Sequence, residues 1–423
     1  MDALSALLSR SGLHPDALSI PTMAQVSLAQ MRIGLYGGQS SIPMRPTELC
    51  PTRPIPQNQM VAVASCTECE LRTASLQFTA EGPQLTPGDA FPLPGAEYPA
   101  PLSDLIFAVA ELLEPLLPTC RQVALALPFS LEYAPTGEVY LVRPPAELRL
   151  SEWEGFDLRA ALTQELRSRG FAGSVCVLGS VSAAHLGAVA TVSAKRYLSL
   201  YWDESFNSGF ALPKTAILKL KSGENQLRLL DCNAGSFQGV PFGAVDLTMD
   251  RDSRYPGEDL LDKMLSTRYL GEQYRFAMIK AAEDSLLTFM CGREFLSLRK
   301  LPLATLLQFL EEPNGSNTLA EFCKHDPKDL ELALAVGEAV LHRANRLILS
   351  NLLALLQLRG AGRDPESPLC VALGGEAFSH PAMASRFSTL LNAELQKKRG
   401  YFLTLHHSPD LILQGAAAAA LIS

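Results

Sequence analysis

Short apolar segments alternate with amphipathic segments along the first half of this chain, and this alternation is the feature that most restricts its fold. Residues 102–117 and 156–169 carry apolar side chains at helical spacing. Residues 123–127, 139–142 and 174–178 are short apolar runs of the kind found in buried strands. Strands and helices in this order are typical of an α/β lobe with a mixed sheet. The first half therefore predicts one such lobe.

The second half repeats the pattern and predicts a second lobe. Strands are predicted at residues 197–202, 215–220 and 227–230, followed by long helices at 257–290 and 327–359. The later predicted elements are a strand at 369–373, a helix at 387–397, a strand at 402–406, and an Ala-rich terminal helix opened by a turn at Gly415–Ala416. This order favours two α/β lobes with a cleft between them.

The N-terminal segment predicts two helices, a loop and a hairpin. Apolar spacing indicates helices at residues 2–9 and 15–32, and the Gly- and Pro-rich residues 34–56 form a loop. Residues 60–64 are apolar and residues 71–78 alternate between apolar and polar. A tight turn between these two runs would give a β-hairpin.

Composition agrees with a packed two-lobed protein and argues against two classes of partner. The 423 residues are 47% hydrophobic and 19% charged, enough for a large core. A formal charge of −8 argues against a nucleic-acid-binding surface, and no stretch approaches the roughly 20 apolar residues that cross a bilayer. The N-terminus lacks the features of a signal peptide, so we expect a cytoplasmic protein whose nine cysteines are reduced thiols.

Several motifs follow one another in a consistent order. Residues 255–264 read YPGEDLLDKM and continue through Tyr-Leu-Gly-Glu at 269–272 to Arg275. The other motifs are Glu154-Gly155, the helix up to Arg169-Gly170 and the strand that follows it, Gly374 with His380-Pro381, and Gly415-Ala416-Ala417. In order and spacing these motifs resemble those of the hexokinase family over roughly residues 20–423.

The resemblance implies a two-lobed, actin-like ATPase fold with sugar in the interlobe cleft and Mg-ATP on a neighbouring face. Closure of the lobes would exclude water, so that a sugar hydroxyl attacks the γ-phosphoryl group. The implied organisation is N-terminal helices and a connecting loop of the large lobe at 1–58, the small lobe at 59–185, the large lobe at 186–408, and a C-terminal helix that returns to the small lobe at 409–423.

The position of the family's catalytic base holds a glycine. The family takes this base from an Asn-Asp-Thr triplet at the end of a strand, and the matching residues here are Leu178, Gly179 and Ser180. Glycine accepts no proton, and a positioned base contributes roughly 10²–10⁴-fold to the rate. The sequence has no Asp or Glu between Gly170 and Lys195. We therefore predict no catalytic residue here.

Both phosphate loops of the family are altered. The first, Asp-x-Gly-Gly-Thr-Asn-x-Arg in the family, reads SCTECELR at residues 65–72, and the second, Gly-Thr-Gly-x-Asn, reads DESFN at residues 203–207. Glycines that let backbone N–H groups approach phosphate are replaced, and each loop contains two carboxylates. A like charge ~4 Å from a phosphate costs about 1 kcal/mol in water and about 4 kcal/mol at an effective dielectric constant of 20. The nucleotide-binding candidates that the resemblance leaves are Arg72, Gly374 and Gly415.

The hexose-binding positions of the family are only partly retained. The family's Thr-Lys pair falls on Pro145 and Ala146, and its Ser falls on Pro128, or on Ser130 if two residues are deleted. Loss of a hydrogen bond to a charged group forfeits about 1.5–3 kcal/mol, so ordinary glucose affinity is not expected. The sugar-binding candidates are Ser130, Asn207, Asp231, Asn233, Asp259 and Asp262, of which Asn207 is unchanged from the family.

Four further motifs each have a functional and a structural interpretation, and the structural one is favoured for all. Cys66-x-x-Cys69 has no second pair of zinc ligands, and His406 and His407 would face opposite sides of a strand. Residues 37–41 suit an interlobe loop better than a nucleotide loop. The acidic residues of the two altered loops suit a solvated cleft rim better than a cation site: Glu68, Glu70, Asp203 and Glu204.

The residues therefore predict a hexokinase-family pseudoenzyme with a binding or regulatory role, a small sugar or polyol as candidate ligand, no metal, and no nucleic-acid or membrane partner. Two alternatives stay open. One is a diverged ATP-dependent hexose kinase that binds glucose and Mg-ATP and feeds glycolysis. The other is a structural subunit that pairs with an active homologue; a homo-oligomer is equally open.

Overall fold

The computed structural model describes residues 3–67, 70–145 and 148–423. In these ranges the strands are β1 Arg45–Pro46, β2 Val61–Cys66, β3 Glu70–Thr79, β4 Gly82–Pro92, β5 Ala100–Pro101, β6 Gln122–Leu127, β7 Leu131–Tyr133, β8 Val139–Leu141, β9 Leu150–Ser151, β10 Ser174–Gly179, β11 Tyr197–Trp202, β12 Phe206–Pro213, β13 Leu227–Asp231, β14 Leu369–Gly374 and β15 Leu403–His407. The helices are α1 Ala3–Ser11, α2 Ile20–Tyr36, α3 Leu102–Leu113, α4 Leu158–Ser168, α5 Ser180–Thr191, α6 Ala244–Arg251, α7 Leu260–Leu265, α8 Thr267–Glu283, α9 Phe289–Ser297, α10 Leu303–Glu311, α11 Thr318–Cys323, α12 Pro327–Arg359, α13 Glu376–Ser379, α14 Pro381–Leu391 and α15 Leu411–Ile422.

Two mixed sheets form the centres of the two lobes. The sheet of the small lobe has the order β10-β6-β2-β3-β4, in which β10, β6 and β2 run parallel and β3 and β4 are antiparallel. The sheet of the large lobe has the order β1-β13-β12-β11-β14-β15, with parallel pairing only among β11, β14 and β15. The predicted α/β architecture and the β2–β3 hairpin are confirmed.

Strands β2 and β6 of the small-lobe sheet are buried on both faces, which explains their apolar residues. Val123 and Leu125 of β6 face a core shared with α3 and α4. Ala124 and Ala126 face the other side, against α5 and the Ala-rich α15. Successive strand residues point to opposite faces, and the small alanines let α15 approach the sheet closely.

The large lobe is organised around α12, a helix of 33 residues. Asp326 caps its first turn by accepting a hydrogen bond from the Lys328 N–H (2.8 Å), and Gly360 ends it in the left-handed conformation (φ 58°). Arg343, in the middle of α12, makes two hydrogen bonds to the buried Asp246 at 2.7 and 2.8 Å. Among the described residues, none of the helices is long and apolar enough to cross a membrane.

Three predicted elements were wrong. Residues 215–220 form two 3₁₀ turns instead of a strand, because only Ile217 of the run is fully buried. The helix predicted at 257–290 is divided into α7, α8 and the start of α9, since Asp259 (φ 49°) and Ser285 (φ 55°) are left-handed and Ser266 has a non-helical backbone (ψ 130°). Gly415 lies inside α15 instead of in a turn, where its missing side chain permits close packing against α5.

Other elements were missed for physical reasons. Strand β4 contains three prolines and a sheet edge tolerates them. Helix α5 is buried on nearly every side and consists mainly of small and apolar residues, so it lacks helical periodicity. Strand β12 and the helices α6, α9, α10 and α11 were also not predicted.

Candidate functional site

A cleft of about 880 Å³ lies between the two lobes. The small lobe contributes the segments around Ser130 and Arg143, and the large lobe contributes the start of β12, the turn after β13 and the start of α7. Helix α2 adds Val26 and Gln30. The volume lies within the ~300–1,000 Å³ range of small-molecule sites. Five of the six sugar-binding candidates line the cleft: Ser130, Asn207, Asn233, Asp259 and Asp262.

Two asparagines have fixed orientations in the cleft because the sixth candidate, Asp231, lies behind them. Asn207 Nδ2 donates to Asp231 Oδ1 (2.5 Å), and Asn207 Oδ1 accepts from the backbone N–H groups of Ser208 (2.8 Å) and Ala234 (3.0 Å). The Asn233 N–H also donates to Asp231 Oδ1 (2.9 Å), since the left-handed backbone of Asn233 (φ 52°) turns the chain back. These contacts hold both amides at the cleft wall.

Ser130 reaches across the cleft. Its hydroxyl donates to Asn233 Oδ1, and Asn233 Nδ2 donates in turn to Ser236 Oγ (3.1 Å). Pro128, the other residue to which the family serine was aligned, offers only its carbonyl oxygen, which accepts from Ser205 Oγ (3.1 Å). Ser130 is therefore the one of the two that presents a side-chain hydroxyl to the cleft.

The two acidic candidates of the 255–264 motif have different partners. Asp259 forms an ion pair with Arg143 of the small lobe, whose guanidinium also lies 4.8 Å from the ring centroid of Tyr255. Asp262 Oδ1 accepts from the Phe206 N–H (2.5 Å) and so supports the start of β12. Asp259 thus bridges the lobes, while Asp262 stabilises the wall that carries Asn207.

Gly179, which the sequence motifs align with the family base, ends strand β10 next to Asp231. Its N–H donates to the Tyr133 hydroxyl (3.0 Å). A Cβ atom at Gly179 would lie 2.8 Å from Asp231 Oδ2. Burial raises the pKa of Asp231, an effect that its hydrogen bonds from Asn207 and Asn233 oppose. Burial and the Asp231 charge also raise the pKa of Tyr133.

The described residues of the first phosphate loop, 65–67 and 70–72, are not part of the cleft lining. Arg72 is 56% exposed and pairs with Glu70 of its own strand. Burial raises the pKa of the Cys66 thiol, which makes it unreactive. Glu68 and Cys69 lie outside the described residues, so the predictions for them stay predictions.

The second phosphate loop is acidic and partly buried. Asp203 is 5% exposed and accepts a hydrogen bond from the Tyr201 hydroxyl (3.2 Å). Burial, followed by the charges of Glu376 and Glu204, raises the pKa of Asp203 to about 7. Glu204 forms an ion pair with Arg268 (2.9 Å). The side chains of Asp203 and Glu204 are therefore acceptors, whereas a bound phosphate needs donors.

The two glycine candidates for nucleotide binding are covered by neighbouring elements. A Cβ atom at Gly374 would meet Ile412 and Ala184 at 3.0 and 3.1 Å, and one at Gly415 would lie 1.7 Å from the Ala183 carbonyl oxygen. The lining of the 880 Å³ cleft, within the described chain, includes neither glycine and also excludes Arg72.

The two adjacent histidines have separate partners. His406 Nε2 lies 3.2 Å from the Thr191 hydroxyl and is half-buried, while His407 is exposed and its Nδ1 lies 3.0 Å from the Leu373 carbonyl oxygen. In the part of the chain that the structure describes, we find no cluster of three or more His, Cys, Asp or Glu side chains arranged to hold a metal ion.

Sequence reasoning missed three residues of this site. Arg45 and Arg143 both line the cleft, and Tyr133 lies beside the Gly179 N–H. Arg143 had a detectable signal, since it lies two residues before the aligned position of the family's Thr-Lys pair. Arg45 and Tyr133 carried none, because the fold brings Arg45 to the cleft and Tyr133 to the end of β10 from segments that are distant in the sequence.

Comparison with known proteins agrees with this fold. A sequence model of the hexokinase family matches residues 204–422, just over half of the chain. The Hexokinase-like 1 protein of Arabidopsis thaliana is 26% identical over 303 residues, which cover 64% of this chain and 58% of that protein. Among solved structures, a hexokinase from Schistosoma mansoni complexed with glucose superimposes with a TM-score of 0.81 at 20% identity, covering 99% and 98% of the two chains. A second hexokinase structure gives a TM-score of 0.74 at 16% identity and covers 99% of each chain.

The two mixed sheets, the interlobe cleft and the structural neighbours define the class of fold: the two-lobed, actin-like fold that solved hexokinases share. Within that class, the chain belongs to the hexokinase family. It spans a little over half of the length of the curated relative to which it is aligned over 303 residues.

Proposed function

We propose that this hexokinase-family chain binds a small sugar or polyol in its interlobe cleft and does not transfer phosphate to it from Mg-ATP. Such a protein would act as a sugar sensor or regulatory partner. The observation that carries the proposal is the contrast between the two parts of the site. The sugar-binding part of the cleft has an ordered set of polar side chains. In contrast, the position of the family base has no carboxylate, and the two phosphate loops lack the family's glycines.

The sugar side supports binding because its polar groups suit hydroxyl ligands. The bonds within the site use one Nδ2 hydrogen of Asn207 and one of Asn233, so each amide keeps a second donor, and Ser130 adds a hydroxyl oxygen from the opposite lobe. Asp231 holds the Asn207 side chain and the Asn233 backbone, and Ser130 and Ser236 hold the Asn233 side chain, so little side-chain ordering remains to oppose binding.

The phosphate side supports the absence of transfer. Phosphoryl transfer needs a group to orient the hydroxyl, donors for the phosphate oxygens and Mg²⁺. Gly179 supplies no carboxylate from β10, and Asp203 and Glu204 replace the loop that would donate to phosphate. Arg72 remains, but it is exposed and paired with Glu70.

Thermal unfolding with D-glucose tests the binding half of the proposal. For a dissociation constant of about 1 mM, 10 mM glucose adds about 1.4 kcal/mol and raises Tm by about 1–2 °C. Asn207→Ala should abolish the shift, because it removes a cleft amide. Gln84→Ala, on the exposed β3–β4 hairpin, should keep it. Absence of any shift with glucose and with a panel of hexoses and polyols would refute binding.

Coupled ADP release with Mg-ATP and a hexose panel tests the other half. We expect no ADP formation above the background without sugar. Turnover at an ordinary kinase rate of roughly 1–100 s⁻¹ would refute the absence of transfer.

A second candidate, a diverged ATP-dependent hexose kinase, has one observation in its favour. The buried carboxylate of Asp231 lies where a side chain from Gly179 would extend. ADP release that disappears in Asp231→Asn but persists in Gln84→Ala would favour this candidate over the first.

A further inference from the structure

The Asp231 carboxylate has one oxygen in use and one without a partner. Oδ1 accepts hydrogen bonds from Asn207 and from the Asn233 N–H. Oδ2 is buried and, among the described residues, has no hydrogen-bond partner. An asparagine would accept the same two bonds through its own Oδ1 and would bury no charge. The carboxylate is therefore not explained by the bonds that it makes, since an unpaired buried anion opposes folding.

The unpartnered oxygen faces the space that Gly179 leaves open. A Cβ atom at Gly179 would lie 2.8 Å from Asp231 Oδ2 and 3.7 Å from the Tyr133 hydroxyl, and no other described atom outside its own chain neighbours would lie within 4 Å. Real Cβ atoms essentially never approach a heavy atom closer than 3.0 Å. A side chain at position 179 and the present Asp231 carboxylate therefore compete for one space, although the two residues end strands of different lobes.

We propose that Asp231 supplies, from the large lobe, the carboxylate that accepts a hydrogen bond from a ligand hydroxyl in the space beside Gly179. This inference rests on the proposed sugar or polyol binding and names the residue that would select among such ligands. Oδ2 lacks a hydrogen-bond donor, and a sugar hydroxyl is a neutral donor. Asn207 and Asn233, which contact Asp231, line the adjoining cleft where the sugar would bind.

The surrounding groups leave this role to a ligand. Arg45 lines the cleft and favours the ionised form of Asp231, but its guanidinium is hydrogen-bonded to Glu132 (3.0 Å). The Tyr133 hydroxyl accepts from the Gly179 N–H and, like the other described groups, makes no hydrogen bond to Oδ2. Because Oδ2 is closed to solvent, the hydroxyl would enter as the lobes separate, and closure would then exclude water from the new hydrogen bond.

Binding of D-glucose and its monodeoxy analogues to matched variants tests the proposal. Asp231→Asn retains the shape of the side chain and the two accepted hydrogen bonds, yet it should bind glucose roughly 10- to 100-fold more weakly. The wild-type protein should discriminate against one monodeoxyglucose by a similar factor, and Asp231→Asn should have lost that discrimination. This loss separates hydroxyl recognition from a merely structural role.

A double variant provides the rescue. Gly179→Asp combined with Asp231→Asn returns a carboxylate to the same space from β10, and glucose affinity should recover to within a few-fold of the wild type. Thermal unfolding of each variant checks its folding. If the double variant does not fold, the affinities of wild type and Asp231→Asn for the deoxyglucose panel decide whether Asp231 recognises a ligand hydroxyl.

Two outcomes would overturn the inference and are distinguishable. Undiminished glucose affinity in Asp231→Asn, or unchanged discrimination among the deoxy analogues, would refute the role of Asp231 while sugar binding stands. If the wild-type protein binds no sugar in the panel, the proposed function itself fails, and this inference fails with it.

Discussion

Replacing Asp203 by asparagine should stabilise the protein at pH 8 far more than at pH 5. Asp203 is 5% exposed, and burial together with Glu376 and Glu204 raises its pKa from 3.8 to about 7. The sign follows from linkage: a raised folded-state pKa favours folding below pH ~4, and that contribution is lost as the pH rises toward 7. Asparagine does not ionise and is nearly isosteric with the protonated acid.

The magnitude follows from the same pKa. Raising it from 3.8 to about 7 corresponds to about 4 kcal/mol when Asp203 is fully ionised in both states. About 3 kcal/mol of this difference should develop between pH 5 and pH 8. Urea denaturation followed by circular dichroism, at constant ionic strength and half-unit pH steps, measures the free energy of unfolding of both proteins.

Asp104→Asn is the matched control for this experiment. Asp104 is exposed in the first turn of α3, so its substitution should change the free energy of unfolding by a small amount that varies little with pH. A difference between Asp203→Asn and wild type that stays constant from pH 5 to pH 8 would refute the argument. It would mean that the second phosphate loop is open to water and able to hold charge.

Two further predictions concern packing, both measured by urea denaturation. Arg343→Ala should lower the free energy of unfolding by about 3–5 kcal/mol, because it leaves the Asp246 carboxylate buried and without its ion-pair partner. Arg10→Ala is the control: it removes an exposed ion pair and should lower the free energy of unfolding by less than about 1 kcal/mol. Gly415→Ala places a Cβ atom 1.7 Å from a backbone carbonyl of α5 and should cost at least about 1–3 kcal/mol. Gly223→Ala, which meets open space, should stay within about 0.5 kcal/mol. If Arg343→Ala unfolds with the same free energy as wild type, the buried ion pair with Asp246 is contradicted. If Gly415→Ala does so, the close packing of Gly415 against α5 is contradicted.

Local patterns in the sequence predicted elements whose burial is regular. The apolar runs at β6, β10 and β14 were recognised because strands buried on both faces need continuous apolar residues. The same criterion failed at residues 215–220, where apolar residues occur in a surface turn, and it missed α5, whose small residues carry no periodicity.

Part of the site was also predicted from the sequence. Five of the six residues proposed for sugar binding line one cleft, because motif order and spacing within a family reflect a shared fold. The sequence left Pro128 and Ser130 as alternatives, and only the structure showed that Ser130 presents a side-chain hydroxyl to the cleft. Likewise, only the structure showed the ion pair between Arg143 and Asp259 across the cleft.

The sequence by itself determined the family, the glycine at position 179 and the carboxylates at positions 203 and 204. Each of these follows directly from the identity and spacing of neighbouring residues. Tertiary structure alone decided that the Asp231 carboxylate lies in the space beside Gly179. The two residues end strands of different sheets, and their distance depends on how the lobes pack together. Neither local propensity nor motif spacing carries that information.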